Sequence, residues 1–109
     1  MKRGEIWTVA GGGDYTGKPR PAVILQDDQF DATDSVTVCG LTTDPTQVGL
    51  VRVVLEPNET NGLSALSRIM VDKITTVQRR RLGERVGYLE LNEMIALNRA
   101  ILVFLGFGD

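Results

Sequence analysis

Residues 35–42 read Ser35-Val36-Thr37-Val38-Cys39-Gly40-Leu41-Thr42. The run is rich in β-branched residues and is closed by Thr43-Asp44-Pro45, a turn signal, so it predicts a strand. Toward the N-terminus, Pro21–Leu25 is a short continuous apolar run that predicts a buried strand. Pro21 suits only its first position, because proline has no N–H to give a ladder. Glu5–Val9 alternates polar and apolar residues and predicts a half-buried strand. Between these two, residues 11–19 hold four glycines and a proline and predict a loop.

Toward the C-terminus the pattern repeats. Val51–Leu55, Ser67–Ile74 and Arg85–Leu89 predict three further strands. The polar loop Glu56–Gly62 offers Asn61-Gly62 for a positive φ, and Arg79–Leu82 offers a short helical turn. The chain end changes period. Leu91, Met94, Ile95, Ile101, Leu102 and Leu105 recur at spacings of three and four, and Leu97 and Phe104 widen the stripe. This predicts one helix from Leu91 to Leu105, started at Glu90 or Asn92 and stopped by Gly106 and Gly108. Its apolar face is wide for a single sheet to cover, which points to a dimer contact. Six short strands and one helix make an α+β chain built on a small, strongly bent antiparallel sheet or barrel.

Composition narrows the chemistry. The 109 residues fit one domain, 1–109. No histidine is present, which removes Ser-His-Asp and Cys-His catalysis, His-ligated zinc and any nuclease with paired histidines. The single Cys39 cannot form an intramolecular disulfide; it reads as a small buried hydrophobe and fits a reducing cytoplasm. The longest purely apolar run, Ala100–Leu105, is six residues, too short for a membrane span, and the N-terminal residues lack the apolar region of a signal peptide. Twelve Lys and Arg stand against 14 Asp and Glu, for a net charge of −2. That total argues against coating nucleic acid by bulk charge. The charges are uneven, however: Asp27, Asp28, Asp31 and Asp34 form an acidic stretch, and Arg79, Arg80, Arg81 and Arg85 a basic one.

Two polar residues stand beside backbone devices. Arg20 lies between Pro19 and Pro21, which stiffen the base of a long, permanently charged side chain suited to a phosphate oxygen. Thr42 ends a strand just before a turn, where a hydroxyl can donate to a phosphoryl oxygen. On spacing alone, Arg20 is more often a solvated surface charge and Thr42 more often a β-former or turn residue.

The blocks Arg3-Gly4-Glu5-Ile6-Trp7, Arg20-Pro21-Ala22-Val23-Ile24, Val36 to Thr42, Ser67 to Val77 and Arg81-Leu82-Gly83, taken in order, resemble the MazF/PemK toxin family over nearly the whole chain. The resemblance implies an SH3-like barrel that forms a homodimer. It also implies a type II toxin–antitoxin system toxin that cuts single-stranded RNA, chiefly messenger RNA, without metal or other cofactor. Arg20 and Thr42 take the family's catalytic positions. The loop of residues 11–18 takes its RNA-contacting loop, including Tyr15, Thr16 and Lys18. Thr43, Asp72 and Lys73 fall along the same RNA groove. Many relatives carry a Ser-Glu-Gln triplet in the loop, with the glutamate as a candidate acid–base group. Here Tyr15 stands at that place with Asp14 beside it, making Asp14 the candidate base. The implied partners are RNA, a cognate antitoxin and a second copy, with no membrane. Two other readings of the same fold remain: a CcdB-like toxin that binds DNA gyrase, and a catalytically degenerate antitoxin-binding module.

Overall fold

The computed structural model describes residues 1–11, 18–46 and 52–108. Its strands are β1 (Glu5–Val9), β2 (Arg20–Ile24), β3 (Ser35–Thr42), β4 (Arg52–Leu55), β5 (Ser67–Gln78) and β6 (Leu82–Tyr88), followed by the helix α1 (Leu91–Phe104). Single 3₁₀ turns occupy Asp28–Phe30 and Arg79–Arg81. All six strands join one antiparallel sheet in the order β4-β5-β3-β2-β1-β6. β4 and β6 end that order without pairing to each other, so the barrel is partly open. Among the described residues no helix is long and apolar enough to cross a membrane.

Alternation along the strands divides the apolar residues between two faces. One face carries Ile6, Val23, Cys39, Leu41, Leu55, Ile69 and Val71, covered by Leu97 and Ala100 of α1. The other carries Val9, Ala22, Ile24, Val36, Val38 and Val77. β5 is exceptional. Its odd-numbered Ile69 and Val71 pack toward the helix, yet the odd-numbered Val77 packs on the opposite face. The pairs Cys39↔Ile74 and Leu41↔Ile69 show why: residues 70–73 stand opposite the single Gly40. This bulge shifts the alternation, and Ile74 replaces an odd-numbered residue on the helix side.

Several strand limits differ from the sequence expectation. β2 starts at Arg20, which pairs with Val9, so Pro21 is the second residue. The ladder to β3 begins only at Ala22, and the missing Pro21 N–H is tolerated at that unpaired end. β5 runs on to Gln78, because Thr75 to Gln78 keep pairing with Ser35 to Val38 although most of them are polar and exposed. β6 starts at Leu82, paired with Val9. Val51 lies outside the described residues.

α1 starts at Glu90, whose backbone N–H donates to the Glu93 carboxylate at 2.8 Å in a reciprocal capping box. The expected positive φ values fall at Gly62 (68°) and Gly106 (84°), and Gly106 stops the helix. Of the stripe only Leu97 is fully buried; Ala100 is buried beside it, and Met94 and Ile101 pack against them. Leu91, Ile95, Leu102, Phe104 and Leu105 stay exposed. One sheet covers one side of the helix, and the stripe wraps further than that side.

Candidate active site

The expected catalytic pair comes together at one cavity, which both Arg20 and Thr42 line. β2 and β3 pair as Ala22↔Gly40 and Val23↔Cys39, which sets the start of β2 beside the end of β3. On the other side Arg20 pairs with Val9 of β1.

Thr42 is oriented by its own turn. The Asp44 backbone N–H donates to Thr42 Oγ1 at 3.1 Å, so one lone pair is occupied and the hydroxyl proton is available to a ligand. Asp44 is held in turn by the Thr46 backbone N–H at 2.9 Å. Hydrogen bonds from Thr46, then the charges of Arg52 and Arg68, hold the Asp44 carboxyl below its ordinary range.

Around the pair is a cavity of about 580 Å³. Val9, Ala22, Val38 and Val77 of the second apolar face form its floor. Arg20, Lys73 and Arg81 line it as cations, and Thr42, Thr75 and Thr76 supply hydroxyls. No carboxylate lines it among the described residues. The β5 bulge explains the presence of Lys73: the shifted alternation sends it to the cavity side.

The remaining expected residues lie elsewhere. Asp72 does not line the cavity. It accepts two hydrogen bonds from Arg52, from Nε at 2.8 Å and Nη2 at 3.2 Å. That guanidinium is the main reason the Asp72 carboxyl lies below its usual value, against a partial burial that raises it. Thr43 and Lys18 are exposed and outside the cavity lining. Asp14, Tyr15 and Thr16 lie outside the described residues. Trp7 packs partly buried against the second apolar cluster, with its Nε1–H donating to Glu5 at 3.1 Å. Cys39 is fully buried, and burial, followed by the Asp72 charge, pushes its thiol up to about 12.

Arg81 is the cavity residue that sequence reasoning left in an undivided basic run. The structure separates that run. Arg79 turns to the acidic stretch, 3.6 Å from Asp31, and donates to the Thr33 carbonyl at 2.7 Å. Arg80 donates to Gln78. Arg85 pairs with Glu5 at 2.9 Å and lies over the Tyr88 ring. The acidic and basic stretches therefore do not form two independent faces, because Arg79 joins them. The only available signal for Arg81 was its position one residue before Leu82.

Comparisons with known proteins identify the family and the fold. Residues 2–105 match the family described as PemK-like, MazF-like toxin of type II toxin-antitoxin system. The chain is 54% identical over 108 residues to a probable endoribonuclease MazF of Mycolicibacterium smegmatis, covering 99% of each. It is 28% identical to endoribonuclease MazF9 of Mycobacterium tuberculosis, covering 96% of each. The fold matches the Mycobacterium tuberculosis toxin MazF-mt6 with a TM-score of 0.80 at 27% identity, over 96% of this chain and 98% of that one. It also matches a mycobacterial endoribonuclease solved with its cognate antitoxin, with a TM-score of 0.83 at 22% identity, over 100% and 98% of the two chains. With the family match over residues 2–105 and this identity over its whole length, the chain belongs to the PemK-like, MazF-like toxins of type II toxin–antitoxin systems.

Proposed function

We propose that this toxin cuts single-stranded RNA by attack of a ribose 2′-hydroxyl on the adjacent phosphate. The observation that carries the reading is that Arg20 and Thr42 line one cavity together with the cations Lys73 and Arg81. A base removes the 2′-hydroxyl proton, the oxygen bonds to phosphorus, and the bond from phosphorus to the 5′ oxygen breaks as that oxygen takes a proton. The products are a 2′,3′-cyclic phosphate and a 5′-hydroxyl. The nucleophile is part of the substrate, so this route asks for no metal-bound water. Arg20 offsets the charge that builds on the non-bridging oxygens, and Thr42 donates a second hydrogen bond. Asp14, six positions before Arg20 in the sequence, serves as the base.

The same cavity suits an acidic segment of an antitoxin, since peptide carboxylates and RNA phosphates seek the same guanidiniums. A second copy of the chain covers the exposed side of α1, where Leu91 is 77% and Ile95 53% exposed. Beside it a groove of about 490 Å³ runs between β4 and α1, lined by Val53, Val54, Ile95, Ala96 and Val103. Burying such a face in a dimer removes apolar area from water.

The test is incubation of Arg20→Ala and Thr42→Ala proteins with long single-stranded RNA in EDTA, followed by mapping of 5′ ends. Both substitutions are expected to lower cleavage by about 10²–10³. Cleavage by both variants at the wild-type rate overturns the assignment.

A further inference from the structure

We infer that Arg81 binds a phosphate next to the scissile one, on the side of Arg20 toward the end of β1. The inference rests on the RNA-cleaving reading above and adds to it the direction in which the strand crosses the sheet.

Three observations lead there. The first is anchoring. The Ala10 N–H donates to the Arg81 carbonyl at 2.8 Å, and Arg81 Nε donates back to the Ala10 carbonyl at 2.9 Å. The guanidinium is thereby pinned to the first residue after β1, and Val9 beside it pairs with Arg20. Across the strands the order is therefore Lys73 on β5, Thr42 on β3, Arg20 on β2 and the Arg81 head at the end of β1.

The second is charge. Arg79 and Arg85 lie against the carboxylates of Asp31 and Glu5. Arg80 donates to the side-chain oxygen of Gln78. Arg81 meets only a neutral carbonyl, and among the described residues its Nη1 and Nη2 have no hydrogen-bond partner. An uncompensated cation lining a cavity without a described carboxylate attracts an anion.

The third is geometry. With Nε committed to Ala10, the two terminal nitrogens keep four N–H donors in a fixed plane, a match for two oxygens of one phosphate. Adjacent strands lie about 4.8 Å apart, so the Arg20 and Arg81 attachment points are separated by successive strand spacings and not stacked over one oxygen. The scissile phosphate already has Arg20 and Thr42. The next phosphate along the chain falls to Arg81.

The experiment uses Arg81→Gln, which removes the charge and keeps a donor for the Ala10 carbonyl, with Arg81→Lys as the charge-keeping variant. Cleavage is followed on a short oligoribonucleotide spanning a site mapped in long RNA. A second set of substrates carries an uncharged methylphosphonate at each flanking linkage in turn. Arg81→Gln is expected to raise KM about tenfold with kcat within about twofold. It is also expected to reduce the slope of log(kcat/KM) against log salt by about 0.7, the single-strand value for one phosphate. Arg81→Lys keeps the slope. One methylphosphonate position reproduces the loss in the wild type and adds nothing in Arg81→Gln. A fall in kcat at unchanged KM, or an unchanged salt slope in Arg81→Gln, overturns the inference. Where the wild type does not cut, anisotropy of the same labelled oligonucleotide separates the two readings. A weaker, less salt-dependent complex with Arg81→Gln then upholds the Arg81 site while cleavage falls. Identical binding overturns the site as well.

Discussion

Arg52 and Arg81 sit on opposite margins of the same sheet and meet opposite fates. Arg52, on β4, is closed off: Asp72 takes two of its donors, and the pair is mostly shielded from water, with side chains 9% and 19% exposed. Arg81 lines a cavity with no described carboxylate and spends one donor on a backbone carbonyl. A paired, shielded cation acts on the stability of the fold, because removing one partner strands the other charge. An unpaired one acts on what the surface attracts. The same contrast separates Lys73, which lines the cavity, from Arg85, which is held by Glu5.

The largest effect that can break this division is catalytic. Arg20→Ala is expected to lower RNA cleavage by about 10²–10³ while leaving the thermal midpoint within about 2 °C, since surface substitutions seldom move stability far. Matched rate assays and melting curves check both halves, and a large loss of stability would show that Arg20 also holds the fold.

Next comes the closed pair. Arg52→Ala is expected to cost about 2–3 kcal/mol in denaturant unfolding, between the exposed and fully buried limits. Arg52→Met with Asp72→Leu should recover most of it. The folded Asp72 carboxyl lies below its ordinary 3.8. Its contribution is therefore complete above that value and is lost as pH falls through the lower folded one. The stability gap between wild type and the double variant should be flat from neutral pH down to about pH 5 and change only below 4, as urea titrations across that range would show.

A smaller, sharper comparison sets Lys73→Gln against Arg85→Gln. The first should reduce the salt slope of RNA binding by about 0.7, and the second should leave it unchanged. Equal slopes would mean that pairing with Glu5 does not take Arg85 out of play.

The smallest effect concerns Cys39, buried between the two regions. Its thiol is pushed up to about 12 by burial and then by the Asp72 charge. The folded state therefore keeps a proton that the unfolded state releases above 9, and stability should fall as pH rises beyond that point. Cys39→Ala should flatten this alkaline limb, and native Cys39 should resist thiol reagents until denaturant is added.

Much of the fold is legible in the sequence because its elements are short and strictly patterned. Ser35–Thr42 appears with the limits the sequence predicts, and the period change at Leu91 marks the helix. The end of β5 is not legible. The sequence expectation ends that strand at Ile74, and the pairing of Thr75 and Thr76 with β3, a contact between distant segments, carries it on. The site is less legible than the fold. Arg20 and Thr42 are 22 positions apart, and nothing local says that β2 and β3 bring both to one cavity; the family resemblance supplied the pair. Arg81 was hidden because three adjacent arginines look alike until each finds its acceptor.

The bulge at residues 70–73 gives one strand two reading frames. Up to Val71, odd-numbered positions such as Ile69 and Val71 are fully buried, and a charge placed there would have to enter the core. From Lys73 onward, odd-numbered Lys73 and Thr75 face the cavity, and a charge there meets solvent and ligand. Tolerance to substitution should therefore switch parity at residue 72. A family of such toxins can then vary its binding surface at 73, 75 and 76 while Ile69, Val71 and Ile74 stay fixed as packing.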